Sequence, residues 1–253
     1  MQWTFTKILK DNYSWVLYNE KKEAIVIDCG EYKPILKLLK DNDLSLKYIL
    51  ITHAHDDHIA ETDDLREATG AIVVGNKNFI ERLPKIDMEI QGGDELTLLD
   101  SKIKVFATPG HCADHIVFYF EEEKYLFVGD FIFSLGCGRV FEGDPAEMVN
   151  SFNILKGLPP STLIFPSHEY TKANLTFTKS LVFFDLGDKE RFILENDVTL
   201  PTTLEFEFKC NPFLNLFNEE FKLHILGNQH MDAVTFFSFL RETKNNKTKL
   251  IGG

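Results

Sequence analysis

A chain of 253 residues, 44% hydrophobic and 26% charged, can bury one large core or a large and a small one, which excludes a disordered or fibrous protein. Its net charge of -12 argues against a nucleic-acid partner, because a phosphate-binding face needs dense Lys and Arg. No apolar run approaches the ~18 residues of a membrane span and no basic-then-apolar leader opens the chain, so a soluble cytoplasmic protein without a membrane partner is expected.

The first elements come as a hairpin. Ser14 to Tyr18 and Ala24 to Asp28 are apolar runs separated by the turn Asn19-Glu20-Lys21-Lys22, and they end at Cys29-Gly30. Pro34 to Lys40 has helical spacing. Tyr48 to Ile51 is a short continuous β-rich run, consistent with a buried strand, and is followed at once by Thr52-His53-Ala54-His55-Asp56-Asp57-His58. Ile59 to Thr69 is again helical, with Gly70 placed as its C-cap, and Ala71 to Val74 is the next strand.

The arrangement of a strand followed by a metal-capable residue recurs. Lys102 to Phe106 runs into Pro109-Gly110-His111, Tyr125 to Val128 into Gly129-Asp130, and Thr162 to Phe165 into Pro166-Ser167-His168. If these strand ends share one edge of packed sheets, residues more than a hundred positions apart meet in one pocket. Strands alternating with helices, plus the antiparallel pair at Ile116 to Phe120 and Tyr125 to Val128, predict a layered α/β domain over residues 1–165. After His168 the pattern turns helical, around Asn174 to Phe184 and Asp232 to Arg241, and predicts a second, mainly helical domain over residues 166–253.

Imidazole and carboxylate together suit a borderline cation, Zn2+ first, with Fe or Mn as alternatives; a closed structural zinc site would instead draw on about four ligands, often cysteines. Cys29, Cys112, Cys137 and Cys210 follow no C-x-x-C spacing and are expected as reduced thiols. The candidate ligands are His53, His55, Asp57, His58, His111, Asp130 and His168, too many for one tetrahedral ion and enough for two sharing a bridging carboxylate. Such a pair makes a hydrolase without a serine or cysteine nucleophile. Cys112, next to His111, reads as a small buried neighbour, and His115, His224 and His230 as surface or satisfied core residues.

These residues resemble the metallo-β-lactamase superfamily, whose fold is an αββα sandwich with two metals at one edge. The segments GDFIFSLGCGRVFEG (Gly129 to Gly143), HEYTKANL (His168 to Leu175) and PTTLEFEFKCNPFL (Pro201 to Leu214) are similar to its glyoxalase II, or hydroxyacylglutathione hydrolase, branch. The resemblance implies hydrolysis of S-D-lactoylglutathione to D-lactate and glutathione. It implies that His53, His55 and His111 hold one metal, Asp57, His58 and His168 the other, and Asp130 bridges both, Asp57 and Asp130 being catalytic. It places glutathione contacts on Arg139, Phe141, Tyr170 and the basic residues that follow NPF, where this chain departs with Asn215 and then Asn218. The PGHTxGH pattern likewise departs, to Pro109-Gly110-His111-Cys112-Ala113-Asp114-His115. A monomer is expected. The competing readings are a hydrolase of this fold acting on another thioester, a lactone or a phosphodiester, and an iron-dependent persulfide dioxygenase, whose metal is held by fewer ligands.

Overall fold

The computed structural model describes residues 1–82 and 85–251. Six strands form a first sheet in sequence order: β1 (Gln2–Ile8), β2 (Asn12–Tyr18), β3 (Glu23–Ile27), β4 (Ser45–Leu50), β5 (Ile72–Asn76) and β6 (Met88–Ile90). β1 to β3 run antiparallel; β3 to β6 run parallel, joined in part by the crossover helices α1 (Tyr32–Asp41) and α3 (Thr62–Thr69). Between β4 and α3 lies α2 (Asp56–Ile59), a single turn. Ala24 to Ile27 are all buried, as a strand must be when helices cover one face of its sheet and a second sheet covers the other.

The second sheet is built from β7 (Glu95–Leu98), β8 (Ser101–Ala107), β9 (Ile116–Phe120) and β10 (Tyr125–Gly129). After a small hairpin of β11 (Ile132–Phe133) and β12 (Gly136–Cys137), and the helix α4 (Pro145–Ser151), β13 (Leu163–Pro166) joins β10 in parallel. The alternation of side chains along these strands makes the layers. Ile116, Phe118 and Phe120 of β9, with Phe127 and Phe165, enter the core between the sheets beside Trp15. Val117, Tyr119, Leu126, Val128 and Ile164 point the other way, against a helical layer. The result is a four-layer αββα sandwich.

That outer layer explains the many phenylalanines of the last third. It comprises α4 and the helices α5 (Thr171–Ser180), α6 (Asp188–Glu195), α7 (Leu204–Cys210), α8 (Glu219–Leu226) and α9 (Ala233–Ile251). Phe177, Phe213, Phe221, Phe236 and Phe237 pack together there. The C-terminal segment is not helical throughout, for β14 (Thr202–Thr203) returns to pair with β13. The fully buried carboxylate of Glu207 ties the two parts together. It accepts hydrogen bonds from Ser134 Oγ (2.9 Å), Leu135 N (2.8 Å), Thr202 Oγ1 (2.8 Å) and Asn211 Nδ2 (3.0 Å), so α7 is bonded to the turn of the hairpin just beyond Asp130.

Candidate metal centre and the cavity beside it

The strand ends deliver their residues to one edge of the sandwich. Past β4, Thr52 donates through N and Oγ1 to the two oxygens of Asp28, both at 2.8 Å, which fixes where the histidine loop departs. The loop passes His53, places His55 at the N-terminus of α2, and puts Asp57 and His58 in that turn. Gly30 is required beneath it, because a Cβ there would fall 2.0 Å from the Asp57 carbonyl oxygen. The single helix expected over Ile59 to Thr69 is instead two. His58 O accepts from Cys29 N (2.7 Å) and Glu61 N donates to Cys29 O (3.3 Å), so contacts with the strand loop interrupt the helical ladder.

All seven candidate ligands converge. His55 Nδ1 lies 3.1 Å from His53 Nε2 and 3.0 Å from His111 Nε2. His168 Nε2 lies 3.3 Å from both Asp57 Oδ2 and Asp130 Oδ1, while His58 Nε2 lies 3.4 Å from the former and 3.6 Å from the latter. Asp130 Oδ2 is 3.6 Å from His111 Nε2, so its two oxygens face different histidines. Among the described residues three triads bring one ligand atom from each member within 4.8 Å: His53, His55 and His111; His53, His58 and Asp130; Asp57, His58 and His168. Asp56, between these positions, is exposed.

Does this set fit divalent cations? The donors are imidazoles and carboxylates, with no thiolate, and the inner nitrogen of His58 is buried without a hydrogen-bond partner. The opposite ring nitrogens are held from behind. His58 Nδ1 donates to Asp28 Oδ2 (2.8 Å), His168 Nδ1 to Asp11 Oδ1 (2.9 Å) and His111 Nδ1 to the Arg139 carbonyl (2.7 Å), which leaves each Nε2 to turn inward as a ligand. The residues fit. Asp28 and Asp11 are functional positions that sequence reasoning missed; their signal was a carboxylate at each end of the first hairpin, facing a cluster it could not be seen to touch.

Electrostatics points the same way. Burial disfavours the charged form of Asp57, yet His168, His58 and Asn12 Nδ2 (2.9 Å) hold its carboxyl far below the usual range. Asp130 is likewise held low by His168, His58 and His111 against the cost of burial. Burial and the neighbouring His58 keep His53 neutral, well below the ordinary imidazole value. Burial also opposes a proton on His168, but the carboxylates of Asp130 and Asp57 prevail and push it up to about 10. A cation taken up here must displace protons, so metal uptake is linked to proton release.

His115 is not part of the ligand set. It is buried, stacks on His53 at 4.8 Å, and engages Thr108 Oγ1 (2.8 Å) and the Asp130 amide (3.2 Å) with its two nitrogens. Cys112 is buried too, and burial pushes its thiol up to about 12, so it offers no thiolate at neutral pH.

A cavity of about 910 Å3 opens beside the cluster, and His111, Asp130, Arg139, Phe141 and Tyr170 line it. Tyr170 stacks on His168, with ring centroids 4.7 Å apart, and Arg139 lies 4.6 Å over the Phe141 ring. Asn215 is not brought to this cavity. Its amide donates to the carbonyls of Phe208 and Asn211, both at 2.9 Å, finishing α7, and Asn218 caps α8 by accepting from Phe221 N at 3.0 Å. Besides Arg139, the cations of the described lining are Arg241 and Lys244 of α9. They could have been found from spacing: each follows a buried apolar residue, Phe237 or Leu240, by four positions and so lies on the inward face of the helix.

Two sheets packed face to face, with histidines and carboxylates gathered at their shared edge, define a member of the metallo-beta-lactamase superfamily, whose family model matches residues 10–168. The crystal structure of BLEG-1 B3 metallo-beta-lactamase superposes with a TM-score of 0.66 at 26% identity, covering 84% of this chain and 99% of that one. Residues 169–247 match the model described as hydroxyacylglutathione hydrolase C-terminus. Within the superfamily the chain belongs to the hydroxyacylglutathione hydrolases. It is 40% identical over 229 residues to the hydroxyacylglutathione hydrolase of Pelagibacter ubique, covering 87% of this chain and 95% of the relative. With the hydroxyacylglutathione hydrolase of Vibrio cholerae it shares 38% identity over 244 residues, 93% of this chain and 95% of the relative.

Proposed function

We propose that the protein hydrolyses S-D-lactoylglutathione to D-lactate and glutathione, with two divalent ions, zinc in the first instance, held by the seven ligands. His53, His55 and His111 would hold one ion and Asp57, His58 and His168 the other, with Asp130 available to both, since one of its oxygens faces His111 and the other faces His58 and His168. Bound there, the ions would supply an acidified water and a Lewis acid for the thioester carbonyl. The chain's own residues do the rest. Asp57 and Asp130 remain ionised and balance the cationic charge. Asp11, Asp28 and the Arg139 carbonyl hold a proton on each Nδ1, so that Nε2 is the nitrogen turned toward a cation. Arg139, Phe141 and Tyr170 form the cavity wall nearest the reacting carbonyl, and Arg241 and Lys244 offer cations to the carboxylates of the tripeptide. The water oxygen bonds to the acyl carbon as the C–S bond breaks; one proton of the water ends on the glutathione sulfur and the other passes to solvent, leaving D-lactate as its carboxylate.

The observation that carries this reading is the convergence of the seven ligands at the mouth of a cavity that also holds cations. Four free, buried cysteines support a reducing, cytoplasmic setting. The test is a steady-state comparison of S-D-lactoylglutathione with a thioester lacking glutathione, using enzyme of measured metal content. A kcat/KM at least about tenfold higher for the glutathione thioester is expected, with loss of most turnover in Asp130→Asn. Equal efficiency on both substrates, or full activity in Asp130→Asn, would refute it.

A further inference from the structure

Four of the five candidate ligand histidines have the ring nitrogen opposite the cluster engaged: His53 Nδ1 lies 3.1 Å from Thr52 Oγ1, and His58, His111 and His168 are held by Asp28, the Arg139 carbonyl and Asp11. His55 differs in two respects. It turns Nδ1 inward, so Nε2 faces away, and its side chain is 20% exposed. Among the described residues no acceptor lies within hydrogen-bonding distance of that Nε2. The carboxylate within reach is Glu142, whose Oε1 stands 3.7 Å away.

Glu142 is built into position from two sides. Its backbone N donates to the carbonyl of His111 at 3.4 Å, so it moves with another candidate ligand. Its Oε1 is also paired with Arg82 Nη2 at 3.2 Å, and Arg82 Nη1 donates to the carbonyl of Ala54, between His53 and His55, at 3.2 Å. The chain of contacts thus starts on the histidine loop, passes through Arg82 and Glu142, and returns to His55. A hollow of about 130 Å3, which these side chains line with Cys112 and Asp114, leaves room for the carboxylate to close on the ring or for a water to join them.

We propose that Glu142 is the positioning residue of His55: it accepts the Nε2 proton, which fixes the tautomer that leaves Nδ1 free as a ligand, and Arg82 keeps Glu142 at that station. A ring that can carry its proton on either nitrogen presents the wrong one part of the time, and a fixed acceptor removes that loss. The inference rests on the reading that His53, His55 and His111 hold an ion. Because Glu142 is about half exposed, removing its carboxylate should not disturb the packing.

Zinc binding is measured by competition with a chromophoric chelator for the unaltered protein, Glu142→Ala and Glu142→Gln. The absorption spectrum of the cobalt-loaded forms and thermal unfolding of the metal-free forms complete the set. Glu142→Ala is expected to weaken one of two ions by about ten- to hundredfold and to shift the cobalt bands, while metal-free unfolding stays unchanged. Glu142→Gln, whose amide oxygen still accepts, is expected to bind within about threefold of the unaltered protein. Unchanged zinc affinity in Glu142→Ala overturns the inference. Equal weakening in both variants, or a loss of stability in the metal-free state, overturns it too. If the unaltered protein takes up no zinc, the reading beneath it fails as well.

Discussion

Replacing Asp28 by Asn is the sharpest probe of how this centre is held. The residue sits at φ 60°, in the left-handed region that Asn also tolerates, so the change alters hydrogen bonding and leaves backbone strain aside. Asp28 accepts three hydrogen bonds at 2.8 Å, from Thr52 N, Thr52 Oγ1 and His58 Nδ1. An amide has one oxygen to give. If that oxygen stays with Thr52 N, the NH2 group faces His58 Nδ1, which must then accept, and the ring proton moves to Nε2. The nitrogen that faces Asp57 and Asp130 would lose its lone pair. If the amide flips, NH2 opposes the Thr52 N–H, and a buried donor facing a donor costs about 1–3 kcal/mol. The expected result is a ten- to hundredfold loss of affinity for one ion, about 1.4–2.8 kcal/mol. Chelator competition measures this directly, and metal-free unfolding separates it from a general loss of stability. Zinc affinity within about twofold of the unaltered protein would refute the reasoning, since the proton on His58 would then not be governed by Asp28.

Two further outcomes are expected. Cys112→Ala should retain at least about half of the activity, with no covalent acyl adduct detectable by mass spectrometry during turnover, because the buried thiol is held near 12 and cannot act as nucleophile. Lys244→Ala should raise KM for the glutathione thioester about tenfold with kcat nearly unchanged, as expected for a charge-assisted contact made equally in ground and transition states. Burial and the neighbouring Arg241 lower the Lys244 amine to about 7, so its charge is present below that pH and lost above it. KM should therefore climb between pH 6 and 8.5 in the unaltered enzyme and lose that rise in Lys244→Ala; steady-state kinetics across that range is the check.

The candidate ligand set was legible because each member follows a strand end in the sequence, and the strand ends of the two packed sheets meet at one edge. What was hidden depended on contacts between distant segments. Asn12 and Tyr13 open β2 although the apolar run begins at Ser14, because Tyr13 N bonds the Ser167 carbonyl and Asn12 pairs with His168 across the sandwich edge. β1 went unread, since Gln2 to Ile8 is polar along much of its length and only partly buried. The place of Asn215 after NPF suggested a substrate contact, whereas its amide is engaged by the carbonyls of Phe208 and Asn211 at the end of α7, a contact that spacing alone does not reveal. Helix α9 runs on to Ile251, past Arg241, where polar residues carry no apolar stripe and give no signal of continuation.

The cations of α9 and the ligands of the sandwich lie on separate stretches of chain, with His168 the last ligand and Arg241 and Lys244 more than seventy positions later. The part of the cavity wall that α9 supplies can therefore vary without touching the candidate ligands, unlike Arg139, Phe141 and Tyr170, which lie among or next to them in the sequence. If the proposed carboxylate contacts hold, substitutions along α9 would retune which acyl carriers are admitted while leaving the candidate ligands in place. Glu207 sets the limit on that freedom: two of its hydrogen bonds, from Ser134 and Leu135, tie α7 to the hairpin beyond Asp130, and two more, from Thr202 and Asn211, hold the C-terminal segment to the same carboxylate. A change of diet for this enzyme could thus begin on the cavity face of one helix while its mooring is left alone.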